Sequence, residues 1–142
     1  MSNFSYEIGS DDIAIIKWDV PNKKFNVLTL EGISEIENIL EKIFENNKLK
    51  GVIISSNKDD FSAGMDLKVL AHLQDQSKNK EEIFQFVMRA HQFLRKIELG
   101  GIDPKTKKGG IPFVWACNGL SAGIATEIGL ACHYRIATDE KN

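Results

Sequence analysis

Two apolar segments that each run into a glycine-containing turn and then a helical pattern constrain this sequence more than any other feature. The first segment covers residues 51–67 and the second covers residues 113–127. Gly51–Ser56 and Phe113–Cys117 are short apolar runs bounded by polar residues, as expected of strands covered on both faces. A helical pattern precedes the first of these strands. The order of patterns therefore predicts an α/β fold with a parallel sheet.

The remainder of the chain also alternates between strand and helix patterns. Phe4, Tyr6 and Ile8 alternate with polar residues, and a turn at residues 9–10 leads to an apolar run, which predicts a β-hairpin. Thr29 is an N-cap candidate for an amphipathic helix that ends near residues 46–47. We further predict a short helix after residue 67 and a mobile segment at 75–80. A long helix should follow, with an inward face formed by Ile83, Val87, Ala90, Leu94 and Ile97. After it we predict an inserted surface loop at 99–111, a helix at 124–132 and a strand beginning at 134–138.

Length, charge and cysteine usage limit the classes of function. A chain of 142 residues corresponds to one domain, and 18 basic against 20 acidic residues give a net charge of −2, without the basic excess of a nucleic-acid-binding protein. Cys117 and Cys132 lie in apolar stretches, which predicts buried thiols in a reducing compartment. His72, His91 and His133 are scattered without ligand spacing, so no metal site is predicted.

Two features bear on the compartment. Residues 1–12 contain three carboxylates and no apolar run, unlike a secretory signal. Residues 109–126 carry no charge over 18 positions, but four glycines, Pro112 and Asn118 favour a strand, turn and helix start over a membrane segment. We expect a cytoplasmic protein without a membrane span.

Each of the two turns leaves backbone N–H groups unpaired at the start of a helix. Such groups carry partial positive charge, and two of them side by side could stabilise an oxygen that becomes negative during a reaction, as an oxyanion hole does. The alternative is that Gly64 and Gly123 only permit close packing or unusual φ angles. The residue pattern alone leaves both interpretations open.

Glu127 is the only charged residue between Lys108 and Arg135. It follows Ile124 by three residues on nearly the same helix face, about 4.5 Å along the axis, where a carboxylate could act as an acid or base. Apolar neighbours would raise its pKa toward the working range. The alternative is a first-turn glutamate that complements the helix dipole.

Two motifs in these segments resemble the crotonase superfamily, the enoyl-CoA hydratases and isomerases. Residues 61–67, Phe-Ser-Ala-Gly-Met-Asp-Leu, resemble its F-x-A-G-x-D-L segment. Asn118-Gly119, Gly123 and Glu127, with the run Ala-Cys-His-Tyr-Arg-Ile-Ala at 131–137, resemble its N-G-x-A-x-G-G-G-x-E and A-C-x-Y-R-I-A segments. Asn-Val-Leu-Thr at 26–29 is similar to the N-terminal domain of multifunctional fatty-acid oxidation alpha subunits.

The resemblance implies a crotonase-like α/β fold of repeated β-β-α units with a parallel sheet, lacking the family's C-terminal helices. It also implies hydration or isomerisation of acyl-CoA thioesters in fatty-acid β-oxidation, with the N–H groups of Met65 and Ile124 as the oxyanion hole and Glu127 as the first catalytic glutamate. Coenzyme A would be part of the substrate rather than a cofactor. The substrate-binding residues implied are Ala63, Gly64, Asp66, Leu67, Gly123 and a lysine at the phosphates, Lys23 or Lys24.

The sequence departs from the family pattern in two ways. The family's G-G-G is Gly123-Ile124-Ala125 here, and a β-branched residue tolerates a positive φ poorly, so we expect a narrower slot or an altered turn. The second glutamate of the hydratases would fall beyond Asn142. We therefore expect an incomplete domain of a homo-oligomer or of a larger multifunctional chain, with NAD involved only if a longer parent carries a dehydrogenase domain.

Two other functions compete with this interpretation. A catalytically silent acyl-CoA-binding or assembly module is favoured by Ile124 and the absent second carboxylate. Residues 119–123 also match G-x-S-x-G between a strand and a helix, the context of a nucleophile elbow. A hydrolase triad would require His133 and Asp139 in the reverse of the usual order, whereas a Clp-type peptidase using Ser121 would need a histidine and an acid beyond residue 142.

Overall fold

A computed structural model describes residues 2–75, 80–103, 105–107 and 109–139 of the chain. Its elements are β1 (Phe4–Ile8), β2 (Ile13–Trp18), α1 (Leu30–Glu45), β3 (Gly51–Ser56), α2 (Leu67–Asp75), α3 (Lys80–Leu99), β4 (Phe113–Cys117), α4 (Ile124–Ala131) and β5 (Tyr134–Ala137). The predicted order of strands and helices is confirmed. Most of the segment predicted to be mobile, residues 76–79, lies outside the described residues.

The five strands form one sheet in the order β1-β2-β3-β4-β5. β1 and β2 pair antiparallel as the predicted hairpin, and the pairs from β2 to β5 are parallel. Because neighbouring parallel strands run the same way, the turns after β3 and β4 emerge at the same edge of the sheet. The topology therefore brings the two glycine-containing turns together.

The main core lies between one face of the sheet and the helices. Register places Ile16, Ile54 and Trp115 side by side on that face, and all three are buried in one cluster with residues of α1, α3 and α4. The opposite face is less enclosed, since Ile53 and Val114 are only partly buried. The prediction that β3 and β4 are covered on both faces is therefore wrong for the described part of the chain, where the helices pack on one side.

Two other expectations are corrected in detail. The predicted inward face of α3 is largely observed, since Ile97 is buried and Ile83, Ala90 and Leu94 are partly buried. It differs in that Val87 is exposed and Phe93, which lies on an adjacent row of the helix, is buried instead. The predicted surface loop begins at Gly100, and its far end is held there by a hydrogen bond from Ile111 N–H to Gly100 O.

No described helix is long and apolar enough to cross a membrane.

Both cysteines are free and buried, as predicted. Burial raises the pKa of the Cys117 thiol and raises that of Cys132 to about 12. A thiol with so high a pKa is a poor nucleophile at neutral pH, because the thiolate is the reactive form. The two cysteines therefore act as small core residues.

Candidate functional site

The turns after β3 and β4 are joined by backbone hydrogen bonds. Ser62 N–H donates to Leu120 O at 3.0 Å, and Ser62 O accepts from Ala122 N–H at 3.1 Å. The carboxylate of Asp60 accepts the N–H of Leu120 at 2.7 Å, and Asn118 donates through Nδ2 to the carbonyl of Lys58. The parallel pairing of the strands thus continues into the turns and fixes their alignment.

Gly64 lies directly against the second turn. A Cβ atom placed on Gly64 would come within 2.8 Å of Ala122 O and 3.7 Å of Gly123 Cα, and the φ angle of Gly64 is +94°. A contact of 2.8 Å is shorter than a side chain can accept, and this φ disfavours any residue with a Cβ. The predicted role of glycine in close packing therefore applies at position 64.

The peptide unit between Gly64 and Met65 has a fixed orientation. Gly64 O accepts from Leu28 N–H at 2.8 Å, and Asp66 N–H donates to Leu28 O at 3.0 Å. In a trans peptide the N–H points away from the C=O, so the Met65 N–H is directed away from Leu28. No described residue accepts a hydrogen bond from it.

The peptide unit between Gly123 and Ile124 is oriented in a comparable way. Gly123 O accepts from the N–H groups of Thr126 and Glu127 at 2.9 and 3.1 Å, which directs this carbonyl along α4. The Ile124 N–H therefore points out of the helix start, and it too has no acceptor among the residues that the structure describes. The positive φ of +51° falls on Gly123 and not on Ile124. The altered turn expected at Ile124 is thus not observed, because the branched residue already has helical backbone.

Met65 and Ile124 line the same small cavity. Its other walls come from α1 and α3 together with the segment before α1, and its lining residues are Leu28, Ile33, Ile36, Met65, Phe86, Arg89, Ala90, Phe93 and Ile124. A water-sized sphere can occupy about 20 Å³ of it, enough for about one water molecule. Most of the lining is apolar side chains. The two unpaired amides therefore belong to turns that border one apolar cavity.

Asp66 is buried beside the first turn and is fully engaged. Its carboxylate accepts from Lys23 Nζ at 2.5 Å and from Lys68 N–H at 2.8 Å, and the second bond caps α2. The Lys23 ammonium, followed by the Lys68 amide, holds the pKa of Asp66 below its usual range. The predicted place of Asp66 beside a ligand remains a prediction, and what the structure shows is a cap and ion pair.

The other residues expected to bind substrate lie around this turn. Ala63 and Leu67 are exposed. Lys24 stacks its Nζ over the Phe25 ring at 5.2 Å, and Lys23 is the lysine drawn toward the turn. An open hollow of about 440 Å³ lies beside them, lined by Lys23, Thr29, Leu30, Glu31, Asp66, Lys68 and Val69. Of the two lysines predicted at a phosphate, only Lys23 borders this hollow.

Glu127 does not occupy the apolar setting expected for it. Ile124, Ala125 and Ile128 are buried, whereas Glu127 and Leu130 are exposed on the other side of α4. Residues three apart on a helix differ in direction by about 60°, which is enough to place Glu127 outside the core-facing stripe. Its carboxylate has no hydrogen bond or ion pair with any described residue. The expected burial is therefore wrong for the described part of the chain, and the carboxylate faces outward one turn from the Ile124 amide.

Ser121 lacks the partners of a catalytic serine. Its hydroxyl pairs with Thr126 Oγ1 at 3.1 Å. His133 Nδ1 accepts the Phe113 N–H at 3.0 Å, which engages the one lone pair that a neutral imidazole ring has for accepting a proton. Within the described ranges no histidine or carboxylate bonds Ser121, and the hydrolase interpretation gains no support.

Two residues that hold the site together, Asn26 and Ser62, are not predicted as site residues by the sequence motifs. Both are completely buried, and both form several hydrogen bonds around the first turn. A signal was present, because each is an uncharged polar residue that directly follows a phenylalanine, Phe25 or Phe61. Sequence alone does not show which backbone groups such side chains reach.

Comparison with known proteins places the chain in a family. Residues 9–142 match the family described as enoyl-CoA hydratase/isomerase. The structure resembles an enoyl-CoA hydratase from Thermoplasma volcanium, with a TM-score of 0.76 and 20% identity over 96% of this chain and 48% of that one. It also resembles an enoyl-CoA hydratase from Bacillus anthracis, with a TM-score of 0.73 and 27% identity over 96% and 47% of the two chains.

Because only 20% of the aligned residues are identical, the likeness to the Thermoplasma protein concerns the fold alone. The chain spans about half the length of these solved structures. The predicted crotonase-like α/β class is confirmed by the shared fold, and the family match covers both turns and both unpaired amides. The chain belongs to the enoyl-CoA hydratase/isomerase family.

Proposed function

We propose that this chain binds acyl thioesters of coenzyme A and holds the thioester oxygen between the N–H groups of Met65 and Ile124. One observation carries the proposal. Two N–H donors that have no acceptor among the described residues lie on two turns that are hydrogen-bonded to each other and border one apolar cavity. The N–H donors suit an oxygen that gains negative charge, and the apolar surface next to them suits the hydrocarbon chain attached to it.

The chemistry that fits this arrangement is addition of water to a 2-enoyl thioester. The water oxygen bonds to C3 as one of the water protons passes to a base, and the electron pair of the double bond moves toward the thioester oxygen, giving an enolate. A proton then adds to C2 and restores the thioester carbonyl. Two fixed N–H groups stabilise the enolate oxygen more than the neutral carbonyl, which lowers the barrier.

Glu127 is the acid or base in this proposal. Its carboxylate is exposed and has no bonding partner within the described ranges, so water or substrate can reach it, and it lies one helical turn after Ile124. Double-bond migration would use the same two N–H groups to stabilise a dienolate, formed when a base removes a proton from one carbon, and the proton would then return to another carbon. The apolar lining favours fatty acyl substrates, as in β-oxidation, within a homo-oligomer or a larger multifunctional protein.

The test is hydration of crotonyl-CoA, followed by loss of the ultraviolet absorbance of the enoyl thioester. We expect slow turnover by this chain, and Glu127→Gln should lower it by about 10²-fold because the proton-transfer group is removed. Glu45→Gln is the matched control, since Glu45 is exposed at the end of α1, away from the cavity. Equal rates for the two variants would contradict the role of Glu127.

A catalytically silent acyl-CoA-binding module is the second candidate. It is favoured by the outward position of Glu127 and by a cavity whose described lining contains no carboxylate. Titration calorimetry with crotonyl-CoA separates the candidates. Binding without turnover, unchanged by Glu127→Gln, would favour the silent module, and absence of both binding and turnover would refute both candidates.

A further inference from the structure

Ser62 joins three segments of the chain at the site. Its hydroxyl donates to Asn26 O at 3.0 Å and accepts from Gly64 N–H at 3.0 Å. Its backbone N–H and C=O bond Leu120 and Ala122 in the second turn. Every polar group of Ser62 therefore has a partner, although the residue is completely buried.

Asn26 supports Ser62 from the other side. The Asn26 side chain accepts from Val20 N–H at 2.9 Å and donates to the carbonyls of Trp18 and Phe61 at 2.9 and 3.0 Å. The backbone carbonyl of Asn26 also accepts the Ala63 N–H at 2.9 Å. A buried network in which each member is satisfied is rigid, because any displacement leaves an unpaired polar group.

The bonds of Ser62 lie one or two residues before each unpaired amide. The Ser62 hydroxyl bonds the N–H of Gly64, the residue before Met65. The Ser62 carbonyl bonds the N–H of Ala122, two residues before Ile124. We infer that Ser62, held by Asn26, is a positioning residue that sets the separation and direction of the Met65 and Ile124 amides. The inference rests on the proposed function only where it concerns thioester binding.

The first test needs no ligand. In a ¹⁵N-labelled chain, Ser62→Ala should shift the amide resonances of both Met65 and Ile124. The controls are Ser55→Ala, which removes a hydroxyl on β3 that bonds Ile16 O, and Ile39→Val, which perturbs the core of α1 away from the turns. Both controls should leave the two resonances in place. A folded Ser62→Ala variant with unshifted Met65 and Ile124 amides would overturn the inference.

The second test measures polarisation of a bound carbonyl. A cinnamoyl thioester of coenzyme A should absorb at longer wavelength when two N–H groups bond its oxygen. In Ser62→Ala we expect that red shift to fall to about half or less, with the dissociation constant changed by less than about 3-fold, because misplaced donors weaken orientation more than binding. Ile39→Val should retain the full red shift, since loss of stability alone does not change the geometry of the folded fraction.

Three outcomes separate the hypotheses. A full red shift in Ser62→Ala would overturn the positioning role. Absence of thioester binding by the unmodified chain would refute the proposed function, while the amide resonances would still decide whether Ser62 couples the turns. If Ser62→Ala does not fold, Ser62→Cys keeps the volume but weakens the hydrogen bonds, and it should give intermediate shifts at both amides, whereas unchanged shifts would contradict the inference.

Discussion

The two strand–turn–helix units are similar in sequence pattern but differ in how the chain encloses them. In the first unit Phe61 and Ser62 are completely buried, and Asp66 caps α2 with its carboxylate. In the second unit the N-cap is Gly123, which offers no side chain, while Glu127 and Leu130 are exposed. The first turn is thus enclosed by the core, whereas the second is enclosed only on the side that faces the sheet.

This difference separates two tasks of a site. The enclosed turn fixes where one amide points, because hydrogen bonds hold the Gly64 and Asp66 peptide groups on either side of it. The open turn is followed by an exposed carboxylate, that of Glu127, and next to it all four residues of β5 are exposed, including Tyr134 and Ile136. Rigid positioning and chemical access therefore come from different units.

The largest expected effect compares the two glycines. Gly64→Ala should lower the free energy of unfolding by about 4 kcal/mol, because positive-φ strain adds to a clash with Ala122 O. Gly123→Ala meets only Gly64 Cα at 4.0 Å and should cost about 1–2 kcal/mol of strain. Urea denaturation measures both, and equal losses would show that the first turn is not the more tightly enclosed one.

Ile124 tests the closed side of the second unit. It is buried and lines the cavity between the amides and α3. Ile124→Ala should destabilise the chain by about 3 kcal/mol, because the removed methyl groups enlarge the cavity. Leu130→Ala, on the exposed side of α4, is the matched control and should change stability by less than about 0.5 kcal/mol. Thermal denaturation of the pair checks this, and comparable losses would contradict the assigned faces.

A pair of glutamates sharpens the contrast between bonded and free carboxylates. Glu35 accepts hydrogen bonds from Ser2, Asn3 and Phe4 at 2.6–3.1 Å, and Glu127 accepts none from described residues. Glu35→Gln should cost about 2 kcal/mol, since bonds to a charged acceptor are weakened. Glu127→Gln should leave stability within about 0.5 kcal/mol. A stability loss in Glu127→Gln would show that this carboxylate is not free.

The smallest effect concerns pH and Asp66. Because the Lys23 ion pair lowers the pKa of Asp66 in the folded chain, its stabilisation is present above the unfolded-state pKa and is lost as pH falls through the folded one. Asp66→Asn keeps an N-cap side chain, removes the ion pair and should cost about 0.5–1 kcal/mol at neutral pH. Denaturation curves at descending pH should converge for the two proteins, and a constant difference would contradict the ion-pair assignment.

Much of the fold could be predicted because periodicity is a local property. The alternation of Phe4, Tyr6 and Ile8, the N-cap at Thr29 and the apolar run of β3 each depend on neighbouring residues, and each is observed. The inward face of α3 could be predicted only in part. Ala90, Leu94 and Ile97 lie inward as their spacing predicts. Packing against α4 and the cavity buries Phe93, whereas Val87 is exposed.

The sequence by itself determined the order of elements, the parallel pairing and the glycines that allow the two turns, because these follow from side-chain spacing and backbone sterics. Tertiary structure alone decided that the Gly64 and Gly123 peptides turn their N–H groups away from their bonded carbonyls. It also decided that Ser62 bridges the turns and that Glu127 faces outward. The physical reason is that hydrogen bonds between distant segments fix peptide orientation, and no local pattern encodes which distant atom will accept them.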